Sequence, residues 1–471
     1  MVSLRLMTLC VLAGSGCAGL PPPHKPVALA REAPVAALEG AATASWPAQE
    51  WWTRYQDPTL DRLIEMAVGT APTLASAQSR LNSARESVRL AGAATGVHVD
   101  LNGDFDRQRL SDNGLISPAL LGFSWYDQAD LGLAAAYSFD WWHKQRDAVE
   151  AAVDQALAAQ ADRSASALVL ASSIADAYFG WQADMARIGL QQQRLAAVQG
   201  QAKIAASRVR QELDAADTLH HNDADIAAIR AQVAGLQGSA KLRAVVIASL
   251  VGRSEADLPA FEAKPLPAIP TGLPDSVRLD LIARRADIIA SRWRVESAQK
   301  SLESARAEFY PDITINALAG LSSLQVSKLL EIGSGVPQIG AAIHLPLFDS
   351  GRLRARYRGT EAMLGAAVAA YQQTLVDAAR EVATQAATRT QLAAQRQQRL
   401  IEIDAALRLH ASAAARVRQG TTDLRAELAA TESWLTERDA LLQLDAAALS
   451  ADIGLQRALG GGYTTSLNAA P

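Results

Sequence analysis

A change of hydrophobic periodicity happens twice in this chain. Leu131, Leu133, Ala135, Tyr137 and Phe139 alternate with Asp130, Gly132, Ala134, Ala136 and Ser138, the period of a strand. Across Tyr137-Ser-Phe-Asp-Trp-Trp-His-Lys-Gln-Arg146 that pattern stops and a long Ala-rich stretch begins. The event recurs where Ile339, Ala341, Ile343, Leu345 and Leu347 alternate with Gln338, Gly340, Ala342 and His344, and Phe348-Asp349-Ser350-Gly351-Arg352 opens a second such stretch. Phe139 and Phe348 are 348 − 139 = 209 positions apart. Arg208-Val209-Arg210-Gln211 returns as Arg416-Val417-Arg418-Gln419, with 416 − 208 = 208. Offsets that agree to within one residue in strands and helices mark a duplicated chain.

No proline falls between Pro118 and Pro259, or between Pro346 and Pro471. Residues 143–212 and 352–419 therefore read as helices of about 100 Å at 1.5 Å per residue. Each turns back into a shorter helix, at 215–251 and 422–459. Aromatics make up only 5% of the residues, and abundant Ala lets helix axes approach closely. Two helical hairpins follow, at 143–251 and 352–459. Pro259, Pro265, Pro267, Pro270 and Pro274 mark a connector over 259–275. It separates a first repeat, 51–258, from a second, 276–459, with a tail at 460–471. Asp57-Pro58 predicts the start of the first helix, since Pro is tolerated in the first turn.

Two more segments alternate like strands. In 97–107, Val97, Val99, Leu101, Gly103 and Phe105 face one way and His98, Asp100, Asn102, Asp104 and Asp106 the other; 312–321 repeats the pattern. With 129–140 and 338–348 these make four segments with the length and dyad pattern of transmembrane barrel strands. Past the N-terminus no run approaches the roughly 20 apolar residues of a spanning helix. Asp100, Asp104, Asp106 and Asp130 are candidate lumen-facing residues. Tyr137, Phe139, Trp141, Trp142, Phe309, Tyr310 and Phe348 cluster where strands meet helices, as an interfacial girdle would; the other reading makes them core residues at a domain joint. Four strands cannot close a barrel, and open edges in lipid leave backbone groups unsatisfied, so a cyclic oligomer is expected.

The N-terminus reads as an export signal: Arg5, the apolar run Leu6 to Leu12, then Ala13-Gly14-Ser15-Gly16 before Cys17. It resembles a bacterial lipoprotein signal over 1–16, with Cys17 as the lipid-modified first residue and 17–50 as a Pro/Ala-rich tether. An ordinary cleaved signal with an incidental cysteine is the alternative. Cys10 and Cys17 are the only cysteines, so the body holds no disulfide framework. A net charge of −4 argues against a nucleic-acid partner.

Several stretches carry a family resemblance: Trp51-Trp52 with Asp57-Pro58 and Leu60, the Tyr137–Arg146 junction, Arg285-Ala-Asp287, Phe309-Tyr310-Pro311, Leu345-Pro346-Leu347-Phe348-Asp349-Ser350-Gly351-Arg352 and Gln419-Gly420. Together they resemble the signatures of the outer-membrane efflux protein family, of the TolC and OprM type. The resemblance implies a mostly α fold with membrane β: a homotrimer whose 12-stranded β-barrel, four strands per chain, continues as a long periplasmic α-helical barrel. It implies a lipid-anchored protein of the outer membrane of a Gram-negative bacterium, passing drugs or other small molecules from an inner-membrane RND or major-facilitator pump and a periplasmic adaptor. A duct for type I protein secretion is the alternative. A coiled-coil structural lipoprotein would account for the helices but not the strands. Catalytic residues, metal and cofactor are not expected beyond a covalent lipid on Cys17, and adjacent His220 and His221 point about 100° apart on a helix. In the family, gate aspartates follow the tip glycine as Gly-x-x-x-x-x-Asp-x-x-Asp. Counting from Gly420, those positions are Ala426 and Ala429, so that gate is not carried over. Asp423 and Glu427, with Arg416, Arg418 and Arg425, are the candidates here. Asp214 and Asp217 stand at the other tip, where Glu212 replaces the glycine. Solvated tip charges are the alternative.

Overall fold

The computed structural model describes Leu29 and residues 46–114, 117–269 and 283–464. The signal 1–16, Cys17, most of the tether, Pro270 and Pro274 of the connector and the end of the tail lie outside the described residues.

Among the described residues there are seven long helices and four strands, and all but the first of these helices fall into repeated pairs. A 3₁₀ turn at Trp51–Tyr55 precedes α1 (Pro58–Thr70) and α2 (Pro72–Ala93). Strands β1 (His98–Arg109) and β2 (Trp125–Phe139) lead into α3 (Lys144–Arg210) and α4 (Asp217–Val251). The second half repeats this with α5 (Ala286–Ala307), β3 (Asp312–Ser323), β4 (Gly335–His344), α6 (Arg352–Arg418) and α7 (Leu424–Ala458). Lengths match pairwise: α3 and α6 have 67 residues each, α4 and α7 have 35, α2 and α5 have 22, β1 and β3 have 12. The strands run antiparallel in the order β1-β2-β3-β4. β4 ends at His344, short of the expected 348, because Pro346 has no N–H to donate. β2 starts at Trp125, four residues before the expected 129. Among the described residues, no helix is long and apolar enough to cross a membrane.

The chain forms two compact units that do not follow the repeats, because each draws on both halves. One contains Leu81–Ala159 and Ser291–Tyr371, with all four strands; the other contains Ala30–Arg80, Gln160–Ala290 and Gln372–Pro471. The second unit has an apolar core of Trp51, Tyr55, Leu60, Ile64, Ile174, Tyr178, Ile247 and Ile453, drawn from the 3₁₀ turn and from α1, α3, α4 and α7. Asp57 caps α1 by accepting from the Thr59 N–H at 2.9 Å, and accepts from the Tyr178 hydroxyl at 2.8 Å. Burial and that carboxylate push the Tyr178 phenol up to about 12, so it remains a donor at physiological pH.

Candidate channel-forming surfaces

The sheet has two chemically distinct faces, and strand register assembles them. Leu101 stands opposite Leu133, which stands opposite Ala319; Tyr137 stands opposite Ile315, which stands opposite Ala341. The alternate positions bring Asp104 opposite Asp130 and Asp106 opposite Gln128, whose Nε2 donates to Asp130 at 2.9 Å. Asp100 stands opposite Ala134 on the same face. The four aspartates therefore share a face, with Asp130 half-buried and the other three exposed. Among the described residues nothing pairs with the outer edges of β1 and β4.

Both strand-to-helix junctions use one device, an aspartate folded back onto the new helix. Asp140 accepts from the Gln145 and Arg146 N–H groups at 3.0 and 2.7 Å, and Asp349 from those of Leu353 and Gly351 at 2.8 and 3.1 Å. The reversal places His143 at φ 60° and its repeat partner Gly351 at φ 87°. The aromatics divide between two environments. Trp142 stacks on Tyr310 with centroids 4.5 Å apart and donates to the Pro311 carbonyl at 3.1 Å. Tyr137, Phe139 and Trp141 form an exposed ladder, and Phe348 is 83% exposed. Phe309 corrects the expected girdle: it is only 7% exposed and packs edge-on against Tyr357, because it ends the turn after α5 rather than a strand.

The hairpin tips repeat as closely as their helices. Leu213 N–H donates to the Arg208 carbonyl at 2.9 Å and Thr421 N–H to the Arg416 carbonyl at 3.0 Å, so both helices end in the same left-handed turn. Glu212 occupies the left-handed position at φ 57° where Gly420 has φ 67°. Asp214 is held by Arg208 at 2.8 and 3.0 Å and by Arg425 at 3.3 Å, and Arg425 also grips Asp423 at 2.8 Å. Arg208 keeps the Asp214 carboxyl below the usual carboxylate range, and Arg425 does the same for Asp423. Asp423 also caps α7 through the Ala426 N–H. These pairs correct the expected partners in part. Among the described residues Arg416 and Arg418 make no ion pair; the expected Arg425 pairs with Asp423 and also with Asp214, linking the two tips, and Arg208 holds Asp214 within its own tip. Asp217 and Glu427 lie in the first turns of α4 and α7, where acid suits the helix dipole.

The model of the family described as outer membrane efflux protein matches residues 63–253 and 278–461. The chain belongs to this family. It is 33% identical over 432 residues to the multidrug resistance outer membrane protein MdtP of Escherichia coli K12, covering 90% of this chain and 88% of that one. It is 32% identical over 467 residues to MdtQ of Escherichia coli O157:H7, covering 95% and 96%. Among solved structures it is similar to VceC of Vibrio cholerae, with TM-score 0.80 and 32% identity over 88% of this chain and 100% of that one. The outer-membrane channel OprN has TM-score 0.83 and 26% identity over 95% and 99%. The protein is thus an outer-membrane efflux channel component.

In this efflux protein, two ion pairs and a hydrogen bond fix how the two hairpins align. Arg187 donates to Asp439 at 2.8 and 3.1 Å, Arg194 to Glu432 at 2.9 and 3.1 Å, and Ser450 to Asp176. Each pair sums to one number, 187 + 439 = 194 + 432 = 176 + 450 = 626, so α3 and α7 run antiparallel in a single register. The seven-residue step from Arg187 to Arg194 is two helical turns, which keeps the pairs on one seam. The family's Arg285-Ala-Asp287 motif has a comparable job: Arg285 binds Asp287 at 2.7 and 3.0 Å, Glu381 at 3.0 Å and the Ala458 carbonyl at 2.8 Å, tying the start of α5 to α6 and α7. Sequence reasoning missed the seam. Its signal was available, as paired charges seven apart, but nothing in the sequence says which helix faces which.

Proposed function

We propose that three copies of this chain form the outer-membrane duct of a tripartite efflux system. The observation that carries the reading is a four-stranded sheet, open at both edges, placed directly before each of two 67-residue helices. Such a sheet satisfies its backbone in lipid only when neighbouring copies complete it, and three copies make a barrel of 12 strands. The apolar face then meets lipid and the face with Asp100, Asp104, Asp106 and Asp130 lines the lumen. The exposed aromatics at the junctions lie at the membrane surface. Cys17 carries the lipid anchor. The hairpin tips with Asp214, Asp217, Arg416, Arg418, Gly420, Asp423 and Glu427 meet the periplasmic adaptor, and the Arg208-Asp214-Arg425-Asp423 network holds them closed. The similarity to proteins named for multidrug resistance supports small-molecule drugs as cargo, delivered by an RND or major-facilitator pump.

The test is in-cell cross-linking from a single cysteine introduced as Thr421→Cys, together with drug accumulation in a deletion strain. Capture of an adaptor with its pump, and raised accumulation on deletion, is the expected result. Capture of sister copies alone with unchanged accumulation would overturn the proposal, and capture of a protein exporter would replace small-molecule cargo with secreted protein.

A further inference from the structure

The internal repeat supplies its own control for one unusual cluster. Arg352, Arg354, Arg356 and Arg358 crowd the first two turns of α6, and the first turn holds no acidic residue. Cations at a helix N-terminus oppose the macrodipole, and like charges four apart repel. The first repeat resolves the same positions locally. Arg146 pairs with Glu150 at 3.0 Å, and adding 208 to each number gives Arg354 and Arg358. A glutamate has become an arginine, so the pair has become a repulsion. Arg356 finds Glu308 at 3.0 Å and Arg352 lies 4.0 Å from Asp349. Arg354 and Arg358 are exposed, and among the described residues neither makes an ion pair. On one face of the helix, at its positive end, two guanidiniums thus await an anion from outside the chain.

What lies beside them identifies its source. Leu345, Leu347 and Phe348, immediately before α6, are exposed apolar side chains, and they continue from β4, whose Ile339 and Ile343 are also exposed. A molecule that satisfies both features has an anionic phosphate head and apolar chains. We propose that Arg354 and Arg358 bind the phosphate of an anionic phospholipid in the inner leaflet of the outer membrane, with Leu347 and Phe348 against its chains. The proposal rests on the outer-membrane placement of the sheet. An anionic lipid there removes the repulsion at the start of α6 and pins the depth at which the second junction meets the membrane; the first junction, with its internal ion pair, has no such requirement.

The experiment is native mass spectrometry of the full chain taken from phosphatidylethanolamine vesicles with or without a minor share of phosphatidylglycerol. The wild-type protein should retain phosphatidylglycerol in preference to phosphatidylethanolamine, with affinity falling about five-fold for each arginine removed in Arg354→Gln and Arg358→Gln. The decisive variant is Arg358→Glu, which rebuilds the ion pair of the first repeat. It should assemble at least as well as wild type and lose the preference, whereas Arg146→Gln should keep it. Absence of a preference in the wild type, or its persistence in Arg358→Glu, would overturn the site. Protection of Arg354→Cys from a water-soluble maleimide in the lipid-free oligomer would overturn it too, by placing the neighbouring copy there. Failure of the wild type to enter even neutral vesicles would instead refute the membrane placement.

Discussion

Replacing Asp439 with alanine should cost this protein far more than any exposed ion pair. Asp439 is 5% exposed and accepts three hydrogen bonds, from Arg187 Nε at 2.8 Å, Arg187 Nη2 at 3.1 Å and Gln443 Nε2 at 2.7 Å. Removing one partner of a buried pair typically costs about 3–5 kcal/mol, because the other charge is stranded. The Arg187 side chain remains 20% exposed and recovers part of that from water, which lowers the expectation to about 2–3 kcal/mol. The stranding is what costs, so Arg187→Met added to Asp439→Ala should recover much of the loss, with a coupling near 2 kcal/mol in the double-mutant cycle. The reference is the exposed pair Arg146 and Glu150, for which the coupling should stay within about 0.5 kcal/mol. The assay is chemical unfolding of the helical circular dichroism signal in detergent for the single and double variants. A coupling at Arg187 and Asp439 no larger than the reference would refute the argument that a buried charge seam sets the α3 and α7 register.

Three further outcomes are expected. Glu212→Gly should stabilise the first tip by about 1 kcal/mol and Gly420→Ala destabilise the second by a similar amount, since both positions are left-handed; local hydrogen exchange at Leu213 and Thr421 reads both. Asp154, pushed up to about 6 by burial and by Glu296 and Glu150, binds more protons folded than unfolded above its ordinary value of 3.8 and so withdraws stability as pH rises from about 4 to about 6. Asp154→Asn should therefore gain about 1 kcal/mol at pH 7, discounted because the site is only half-buried, and nothing at pH 3.5, as unfolding midpoints would measure. Cys17→Ser should abolish incorporation of labelled palmitate, and retained label would refute the lipoprotein reading of the N-terminus.

The sequence was legible wherever the physics is local. Alternation of Leu131, Leu133 and Ala135 with Asp130, Gly132 and Ala134 is enough to specify a two-faced strand, and the proline-free stretches leave helix as the economical way to satisfy so much backbone. Strand ends drifted where a single residue decides, as at Pro346. Phe309 was misplaced because an aromatic near a strand carries no local sign of the helix that will cover it. At the tips the charges were visible, but not which arginine takes which carboxylate. Arg425, two residues from Asp423, pairs with it as expected, but Arg416 and Arg418 make no ion pair among the described residues, and the Asp214 pairs come from Arg208 and from Arg425 on the other hairpin.

By itself, then, the sequence determined the duplicated order of strands and helices, the two faces of the sheet and the family, because these depend on periodicity and on motifs carried in short stretches. Only the tertiary structure decided the 626 register of α3 against α7, the seat of Phe309 and the network joining the tips. Those depend on which surfaces meet, and charges hundreds of residues apart in the chain acquire partners only when packing has brought their helices together.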